Sequence, residues 1–579
     1  MQAKKGIPYK YFGLLLGAIA VGILPLLFDT RYATNLLILA AASGVSALGL
    51  TVLLGYTGQI SMAQATFYGI GAYAVALGTT RYHTNWWVAL AVGIMAAAMF
   101  GTFLGMATLK VGGRYLAMIT IGTQIIFSLI MLNWIKFSGG PDGISGIKRP
   151  PFFFQVTTAH DYSWVALGLL FIVGAFVWWL RNTPLGRSMV AVRENELAAE
   201  AMGVNTVRTK VVAFVISAML GAIGGAIYAA GFAYISPDTF SYDMSIQTLA
   251  ATLLGGSDAV VGTVLGAGAL TFLPELLRDF NSIYLVMYGF IIIVVIVFMP
   301  NGLWGFVDLA AKRLVKRPTM AKAETELQVG GQGQMGEELL VVTGLGKHFG
   351  GLKALDGVDF VVRRGELHAL IGPNGSGKST SINVISGIYV PTFGGVRFKG
   401  KEIGGKRPSK IAQGGMARTF QNLRLFRELT VWENVLIGSQ KKGGSAAEVD
   451  DRARGAIEFV GMSGKAFERC KNLPYGHQKL VEIARQLAGE PELLLLDEPA
   501  AGLNQTEKQE MVHLLKRLHN AGLTMLLVEH DMSMVAQLSN TMTVLNFGKK
   551  ISEGNPDHVL SDPAVVEAYL GNREVALNA

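Results

Sequence analysis

Long apolar runs fill the first half of the chain and constrain its fold more than any other feature. Eight of them are long enough to cross the roughly 30 Å hydrocarbon core of a bilayer. They lie at residues 11–28, 33–54, 62–79, 86–109, 115–135, 162–180, 211–234 and 283–299. Backbone polar groups in lipid must be paired within the chain, which helices achieve and open irregular segments do not. We therefore predict an all-α, polytopic membrane domain over residues 1–307.

A further apolar region, residues 245–273, is interrupted by the polar turn at residues 255–258. Cytoplasmic loops of membrane proteins carry an excess of Lys and Arg. With a cytoplasmic N-terminus, the basic segments at residues 110–114 and 181–210 fall on the inner side. The soluble C-terminal half reaches that side only if residues 245–273 make two short passes. We expect about nine or ten spans in all.

The charge of the chain is unevenly divided. Residues 1–320 contain 20 Lys and Arg against 12 Asp and Glu, and residues 321–579 contain 30 against 29, so the first part supplies +8 of the net +9. This excess lies in short loops between apolar runs, where it orients a membrane protein, whereas a nucleic-acid binder carries it on a soluble face. The single cysteine, Cys470, excludes an internal disulfide and a multi-cysteine metal site.

A glycine-rich loop follows the apolar run at residues 367–371 and precedes a helical pattern. It fits G-x-x-x-x-G-K-[ST] and consists of Gly372, Pro373, Asn374, Gly375, Ser376, Gly377, Lys378, Ser379 and Thr380. Glycines let successive backbone N–H groups turn toward one anion, and the positive end of the following helix adds to the attraction. Lys378 can then reach the outer phosphates of a nucleotide, and the Ser379 hydroxyl can hold Mg²⁺.

Two interruptions of the apolar pattern are informative. Residues 308–338 lack apolar periodicity and include a glycine-rich run, which predicts a flexible linker before a domain at residues 339–579. Within the membrane half, polar residues and glycines break the pattern at residues 54–64, and such a break can mark a substrate path. Gln59, Ser61 and Gln64 are the candidates there, and an ordinary cytoplasmic turn explains the same pattern equally well.

From residue 339 onward the chain resembles the nucleotide-binding domain of ABC transporters, an α/β P-loop fold. A leucine-rich strand ends in Asp497 and Glu498. The resemblance implies that Asp497 assists Mg²⁺ and that Glu498 polarises the attacking water as general base. Gln421 matches the glutamine that senses Mg²⁺ and the γ-phosphate, and His530 matches the histidine that contacts the γ-phosphate.

One further residue and one further motif match the family less closely. Phe349 stands where the family stacks an aromatic ring on adenine, and a core Phe is the alternative. The signature LSGGQ takes the form Pro474, Tyr475, Gly476, His477 and Gln478. Tyr475 and His477 depart from it and put the contact with a partner's γ-phosphate in doubt, but this form is similar to that of branched-chain amino acid importers. Because one domain's signature completes the site of another, a partner ATPase domain is implied.

The membrane half resembles the permeases of the same importer family in three blocks, residues 54–73, 138–143 and 186–203. The last block looks like the cytoplasmic segment that docks on the ATPase, beside Gln421. An ordinary solvated loop is the alternative for this segment.

Together these features resemble an ABC importer with its permease and ATP-binding subunits in one chain. The resemblance implies ATP- and Mg²⁺-dependent import of branched-chain or similar apolar amino acids across a bacterial inner membrane, with a cytoplasmic ATPase domain. Expected partners are a second ABC half, which is either a copy of the chain or sister subunits, and an extracytoplasmic substrate-binding protein. Urea and short amides are alternative cargo. An exporter half-transporter and a nucleotide-gated channel are alternatives of another class.

Overall fold

The computed structural model describes residues 12–27, 30–108, 114–152, 156–299, 302–305, 320–330 and 333–570. The chain divides into two compact units. The helical unit comprises residues 1–193 and 207–316, and the α/β unit comprises residues 194–206 and 317–579. Residues 110–113 of the expected inner loop lie outside the described residues.

Thirteen helices precede residue 300 in the described part of the chain. They are α1 (Phe12–Leu27), α2 (Arg31–Leu50), α3 (Gln64–Thr80), α4 (Trp86–Thr108), α5 (Arg114–Asn133), α6 (Ile135–Ser138), α7 (Ala159–Asn182), α8 (Pro184–Glu194), α9 (Glu196–Ala201), α10 (Thr206–Phe232), α11 (Tyr242–Gly255), α12 (Val260–Leu276) and α13 (Tyr284–Phe298). Among the residues that the structure describes, five helical stretches are long and apolar enough to cross a membrane, judged by length and composition. These are Arg31–Tyr56, Trp86–Ala107, Tyr115–Asn133, Ala159–Asn182 and Thr206–Phe232. The predicted all-α character of this half is confirmed, and the total number of spans stays a prediction.

The breaks predicted within the membrane half, at residues 54–64 and 255–258, are both present in the helical unit. Helix α2 continues as a π-helical turn, Thr51–Tyr56, and the chain then stays non-helical until α3 begins at Gln64. Helix α11 ends at Gly255 and α12 begins at Val260. The predicted break at residues 255–258 is therefore present, and the two short membrane passes on either side of it stay a prediction.

The α/β unit contains ten strands and nine further helices in its described residues. The numbering starts at β3 because the helical unit contains a short antiparallel pair, β1 (Ile144–Ser145) and β2 (Tyr234–Ile235). The strands of the α/β unit are β3 (Glu338–Phe349), β4 (Leu352–Arg363), β5 (Leu367–Ile371), β6 (Phe393–Phe398), β7 (Lys401–Glu402), β8 (Met416–Arg418), β9 (Leu493–Asp497), β10 (Thr524–Val528), β11 (Thr541–Asn546) and β12 (Lys549–Gly554). The helices are α14 (Lys378–Ile385), α15 (Pro408–Gln413), α16 (Val431–Gln440), α17 (Ala446–Phe459), α18 (Tyr475–Leu487), α19 (Gln505–Asn520), α20 (Met532–Leu538), α21 (Pro556–Leu560) and α22 (Pro563–Leu570).

The main sheet of the α/β unit has the strand order β12-β11-β5-β10-β9-β8 and is parallel except for β12. Every residue of β5, β9 and β10 is buried, as expected for strands covered on both faces. Strands β4, β3, β6 and β7 form a separate antiparallel sheet. Because parallel strands end at one edge, the segments that follow β5, β8, β9 and β10 meet there.

The segment before β3 packs on the α/β unit. The backbone N–H groups of Glu324 and Thr325 donate to the Asp451 carboxylate on α17 at 2.7 and 3.0 Å. Leu327 and Val329 are partly buried against the apolar core of the unit. The sequence predicted a flexible linker over residues 308–338, whereas residues 320–330 are held by both polar and apolar contacts. The domain boundaries themselves stay a prediction.

Candidate active site

The glycine-rich loop lies between the buried strand β5 and the first turn of α14. Gly372 and Gly377 have φ angles of 146° and 107°, and a Cβ atom at Gly372 would lie 2.1 Å from the Leu545 carbonyl oxygen. The Lys378 ammonium donates to the carbonyl oxygens of Gly372 and Pro373 at 2.7 and 2.9 Å. The glycines thus allow the backbone of the loop to fold around Lys378. The folded loop forms an anion cradle at the N-terminus of α14.

Asp497 lies at the end of β9 and is paired on one side only. Its Oδ2 atom accepts a hydrogen bond from the Arg418 guanidinium at 3.3 Å, and its Oδ1 atom is buried without a hydrogen-bond partner among the described residues. Burial raises the pKa of Asp497, and the neighbouring Arg418 opposes that shift. A buried carboxylate oxygen without a partner fits a cation ligand, so the site suits the Mg²⁺ that accompanies a nucleotide.

Three residues predicted as catalytic come together beside Asp497. The Gln421 amide donates to the Glu498 carboxylate at 3.1 Å, and His530 Nδ1 lies 4.0 Å from the same oxygen. Glu498 has a φ of 49°, in the left-handed region that non-glycine residues seldom adopt. Such a conformation costs about 1–3 kcal/mol and is concentrated at functional sites. The backbone thus aims this carboxylate toward Gln421 and His530.

Phe349 is the last residue of β3, and its side chain is exposed rather than in the core. Its ring lies 5.2 Å from the ring of Tyr389 in an edge-to-face arrangement, and the Lys347 ammonium lies 5.0 Å from its centroid. Because the ring is 42% exposed, a face remains for stacking on a base. The alternative of a core Phe does not fit this position.

The signature residues lie at the start of α18 and contact residues that are close to them in the chain. Gln478 donates to the Leu473 carbonyl oxygen at 2.7 Å, and the Lys465 ammonium lies 3.1 Å from His477 Nδ1. Tyr475 is 42% exposed. In the described part of the chain, no hydrogen bond or ion pair joins residues 474–478 to the glycine-rich loop. The predicted contact of Gly476 and the other signature residues with a partner's nucleotide stays a prediction.

Residues 194–203 of the predicted docking segment belong to the same compact unit as the strands, whereas residues 186–193 belong to the helical unit. Helix α9 is capped by Asn195, whose side chain accepts from the Ala198 N–H at 2.9 Å. Leu197 lines a cavity together with residues of α15 and with Phe420. The Arg424 guanidinium donates to Asn195 Oδ1 at 3.4 Å. The segment thus contacts the loop that carries Gln421.

The three membrane candidates differ in environment. Gln64 is fully buried, and its amide nitrogen donates to the Ser46 carbonyl oxygen at 2.9 Å while its oxygen accepts from the Ser217 hydroxyl at 3.2 Å. Ser61 is also buried and accepts from the Ala63 N–H at 3.2 Å. These contacts give both side chains a structural use. Gln59 is half-buried and is the one of the three with a side chain accessible to a solute.

Sequence reasoning missed two residues that shape the site. Arg418 pairs with Asp497 and donates to the Ser386 hydroxyl at 2.6 Å. Glu529 is buried, and its carboxylate accepts the Ala500 N–H at 3.0 Å, which fixes the loop after Glu498. Both residues directly flank recognised motifs, and a charged residue at the end of a buried strand is the signal that could have identified them.

Comparisons with known proteins cover both halves of the chain. Residues 32–299 match the family described as branched-chain amino acid transport system / permease component. Residues 355–501 match ABC transporter, and residues 549–575 match branched-chain amino acid ATP-binding cassette transporter.

Individual relatives cover the second half. The high-affinity branched-chain amino acid transport ATP-binding protein LivG of Salmonella typhimurium is 41% identical over 253 residues, which are 41% of this chain and 99% of LivG. The corresponding protein BraF of Pseudomonas aeruginosa is 38% identical over 253 residues, with the same shares of 41% and 99%. A crystal structure of an ABC-transporter ATP-binding cassette in its ADP conformation is 36% identical, with a TM-score of 0.37, and covers 41% of this chain and 99% of that one.

Proposed function

Because the chain belongs to the branched-chain amino acid ABC transporter family, with a permease domain and an ATP-hydrolysing cassette in one polypeptide, we propose that it imports branched-chain or similar apolar amino acids. The observation that carries the proposal is the convergence of Gln421, Glu498 and His530 beside the glycine-rich loop, on a chain whose other half is a permease. Such a chain has both a hydrolytic centre and a membrane path.

The residues of the cassette take the following roles in this proposal. Lys378 and the amides of residues 372–380 bind the phosphates, and Phe349 receives the adenine ring. Ser379, Asp497 and Gln421 would hold Mg²⁺, which would supply charge neutralisation for the transferred phosphoryl group.

The hydrolytic step is assigned to the residues around Glu498. Its carboxylate orients a water molecule and takes the proton that the water loses as its oxygen bonds to the γ-phosphorus of ATP. The bond from the γ-phosphorus to the bridging oxygen breaks, and ADP leaves with that oxygen. Gln421 holds that carboxylate through the hydrogen bond at 3.1 Å. His530, 64% exposed in its side chain, is accessible to the γ-phosphate.

Coupling requires a second cassette and a delivered substrate. We assign the γ-phosphate contacts of Tyr475, Gly476, His477 and Gln478 to a partner's nucleotide, and the partner is either a second copy of the chain or a sister subunit pair. Closure of the two cassettes would move the loop at Gln421 and, through Arg424 and Asn195, the docking segment. An extracytoplasmic binding protein would supply the amino acid at the outer face of a bacterial inner membrane.

The test is hydrolysis stimulated by a loaded binding protein. Vesicles that contain the chain and its partner subunits are supplied with candidate binding proteins and with leucine, proline or urea, and phosphate release is followed. The proposal predicts stimulation by leucine. Stimulation by urea alone would make amides the cargo, and hydrolysis that ignores every binding protein would contradict coupled import.

A further inference from the structure

The signature helix α18 carries buried charged residues that the mechanism above does not use. Lys479, Glu482 and Arg485 are 2%, 1% and 0% exposed. The Glu482 carboxylate lies 4.0 Å from the Arg485 guanidinium. The Lys479 ammonium and the Arg485 guanidinium have no hydrogen-bond partner among the described residues. Buried charges at such a cost in desolvation call for a role in the arrangement around them.

The Glu482 carboxylate reaches the loop that carries Gln421. It accepts the backbone N–H of Phe420 at 3.4 Å. The backbone of Arg424 also favours the charged form of this carboxylate, which lowers the pKa that burial raises. Phe420 and Arg424 lie on either side of Gln421 in the chain. A single carboxylate on the signature helix therefore interacts with the backbone on both sides of Gln421, and its hydrogen bond is to Phe420.

The far end of the same loop is also fixed. The Arg485 guanidinium lies 4.9 Å from the ring centroid of Phe426. Asn434 donates to the Phe426 carbonyl oxygen at 2.9 Å and accepts its N–H at 3.0 Å. The backbone of the loop is thus held by residues of α16 and α18, while the Gln421 side chain is exposed and hydrogen-bonded to Glu498.

We propose that Glu482 is a positioning residue, which fixes Gln421 relative to Glu498. Through Glu482, a movement of the signature helix α18 also moves Gln421. This inference rests on the proposed function of the cassette. Since the carboxylate lies buried between Lys479 and Arg485, it moves with α18, and the amides of the loop move with it. A partner's nucleotide that engages the signature would in this way reposition Gln421 in the chain that carries the signature.

Two substitutions separate reach from charge. Glu482→Asp keeps a carboxylate beside the two cations but withdraws it from the loop by one methylene. Glu482→Gln keeps an acceptor oxygen at full reach but removes the charge. We expect Glu482→Asp to lower kcat about tenfold and to raise the half-saturating Mg²⁺ concentration. A misplacement of about 1 Å can cost up to about 100-fold, and the contacts of the loop at Phe426 limit the displacement. Glu482→Gln should stay closer to wild type in both quantities, even where its thermal midpoint is lower.

The control is Glu510→Asp on the exposed face of α19, which should leave kcat and Mg²⁺ dependence unchanged. If activity instead follows thermal stability across the two Glu482 variants, the residue is purely structural and the proposal is overturned. Bound ATP is measured by nucleotide fluorescence in each variant, so that a loss of binding is not mistaken for a loss of positioning.

A double-mutant cycle tests whether Glu482 acts through Gln421. In the Gln421→Ala background, Glu482→Asp should change kcat by no more than about twofold, the limit within which independent effects are resolved. A full tenfold loss in that background would show that Glu482 acts elsewhere. The Glu498→Gln variant, assayed alongside, separates a failure of the proposed function from a failure of this inference. Turnover in Glu498→Gln would refute the proposed function. Additive effects of Glu482→Asp and Gln421→Ala would refute only the positioning role of Glu482.

Discussion

The side-chain amide of Gln421 donates a hydrogen bond to the Glu498 carboxylate, with 3.1 Å between the nitrogen and the oxygen. The two residues follow β8 and β9, which are adjacent parallel strands. The proposed Mg²⁺ sensor and the proposed general base therefore share one contact at the edge of the sheet. A displacement of the loop at Gln421 changes the position of the base directly, which gives the docking segment a short route to the chemistry.

Arg418 should be essential for the stability of this edge. Burial lowers its pKa to about 10, although Asp497 opposes the shift, and the guanidinium still pairs with the buried Asp497 carboxylate. Arg418→Met leaves that carboxylate unpaired, and we expect a loss of about 3–5 kcal/mol. The thermal unfolding midpoint of the purified protein measures the loss. Arg397→Met, at an exposed position of β6, is the control, and an equal midpoint for both variants would contradict the assignment.

Cys470 should be unreactive in the folded protein. Its burial raises the pKa of the thiol to about 12, and the Asn434 side-chain amide lies 3.2 Å from its sulfur. Since the thiolate is the nucleophile, maleimide labelling at pH 7 should be negligible until the chain is unfolded in detergent. An unfolded thiol ionises near pH ~8.5, so the stability that the neutral thiol contributes is present below that pH and is lost as the pH rises toward the folded pKa. Rapid labelling of the native protein would contradict the burial.

The segment before β3 should be protected from exchange by Asp451. The Thr325 hydroxyl and the backbone N–H groups of Thr325 and Glu324 hold the pKa of Asp451 below its usual value. Asp451→Asn weakens these bonds, and hydrogen exchange at residues 323–327 should quicken about tenfold, as expected for lost bonds to a charged acceptor. Because the pKa is lowered, the contribution is present above the unfolded pKa of ~3.9 and is lost as the pH falls through the folded value.

Glu510→Gln is the matched control for this segment, since Glu510 lies on an exposed helix face. Hydrogen exchange that is already fast in the wild-type protein, or that does not change in Asp451→Asn, would contradict this role of Asp451. Residues 320–330 would then be a flexible linker, as the sequence predicted.

Gly225 should be required for packing within the helical unit. A Cβ atom at Gly225 of α10 would lie 1.8 Å from the Tyr68 carbonyl oxygen of α3. Helices pack this closely in membranes through small residues, so Gly225→Ala forces α3 and α10 apart at a cost of about 1–3 kcal/mol or more. Gly168→Ala on α7, where nothing lies within 4 Å, is the control. The yield of monodisperse protein in detergent and its thermal midpoint should fall only for the first variant.

The sequence predicted the features that depend on local pattern. The glycine-rich loop after β5 and the acidic pair at the end of β9 are visible as local patterns, whereas Gln421 and His530 were proposed from the family resemblance. The turn at residues 255–258 was likewise visible as a local pattern. Residues that act through distant partners were not visible. Glu482 and Arg485 have the composition of a solvated helix face, and only the fold shows that they are buried.

Two other features show why part of the structure escaped prediction. Leu327 and Val329 are too few to give a periodicity, so their packing against the cassette core could not be recognised. Gln64 was a candidate for substrate contact because polar residues and glycines break the apolar pattern at residues 54–64. Its polar groups are paired with Ser46 and Ser217, which lie 18 and 153 residues away in the chain.

Accumulation of radiolabelled leucine in sealed vesicles tests the central claim most directly. The vesicles contain the chain with its partner subunits, an amino acid-binding protein on the receiving side and ATP with Mg²⁺ on the cassette side. We predict accumulation against the gradient by the wild-type protein, and none by Glu498→Gln despite undiminished ATP binding, because the proposed general base is missing. Equal accumulation by Glu498→Gln, or by the wild type without ATP, would contradict the account.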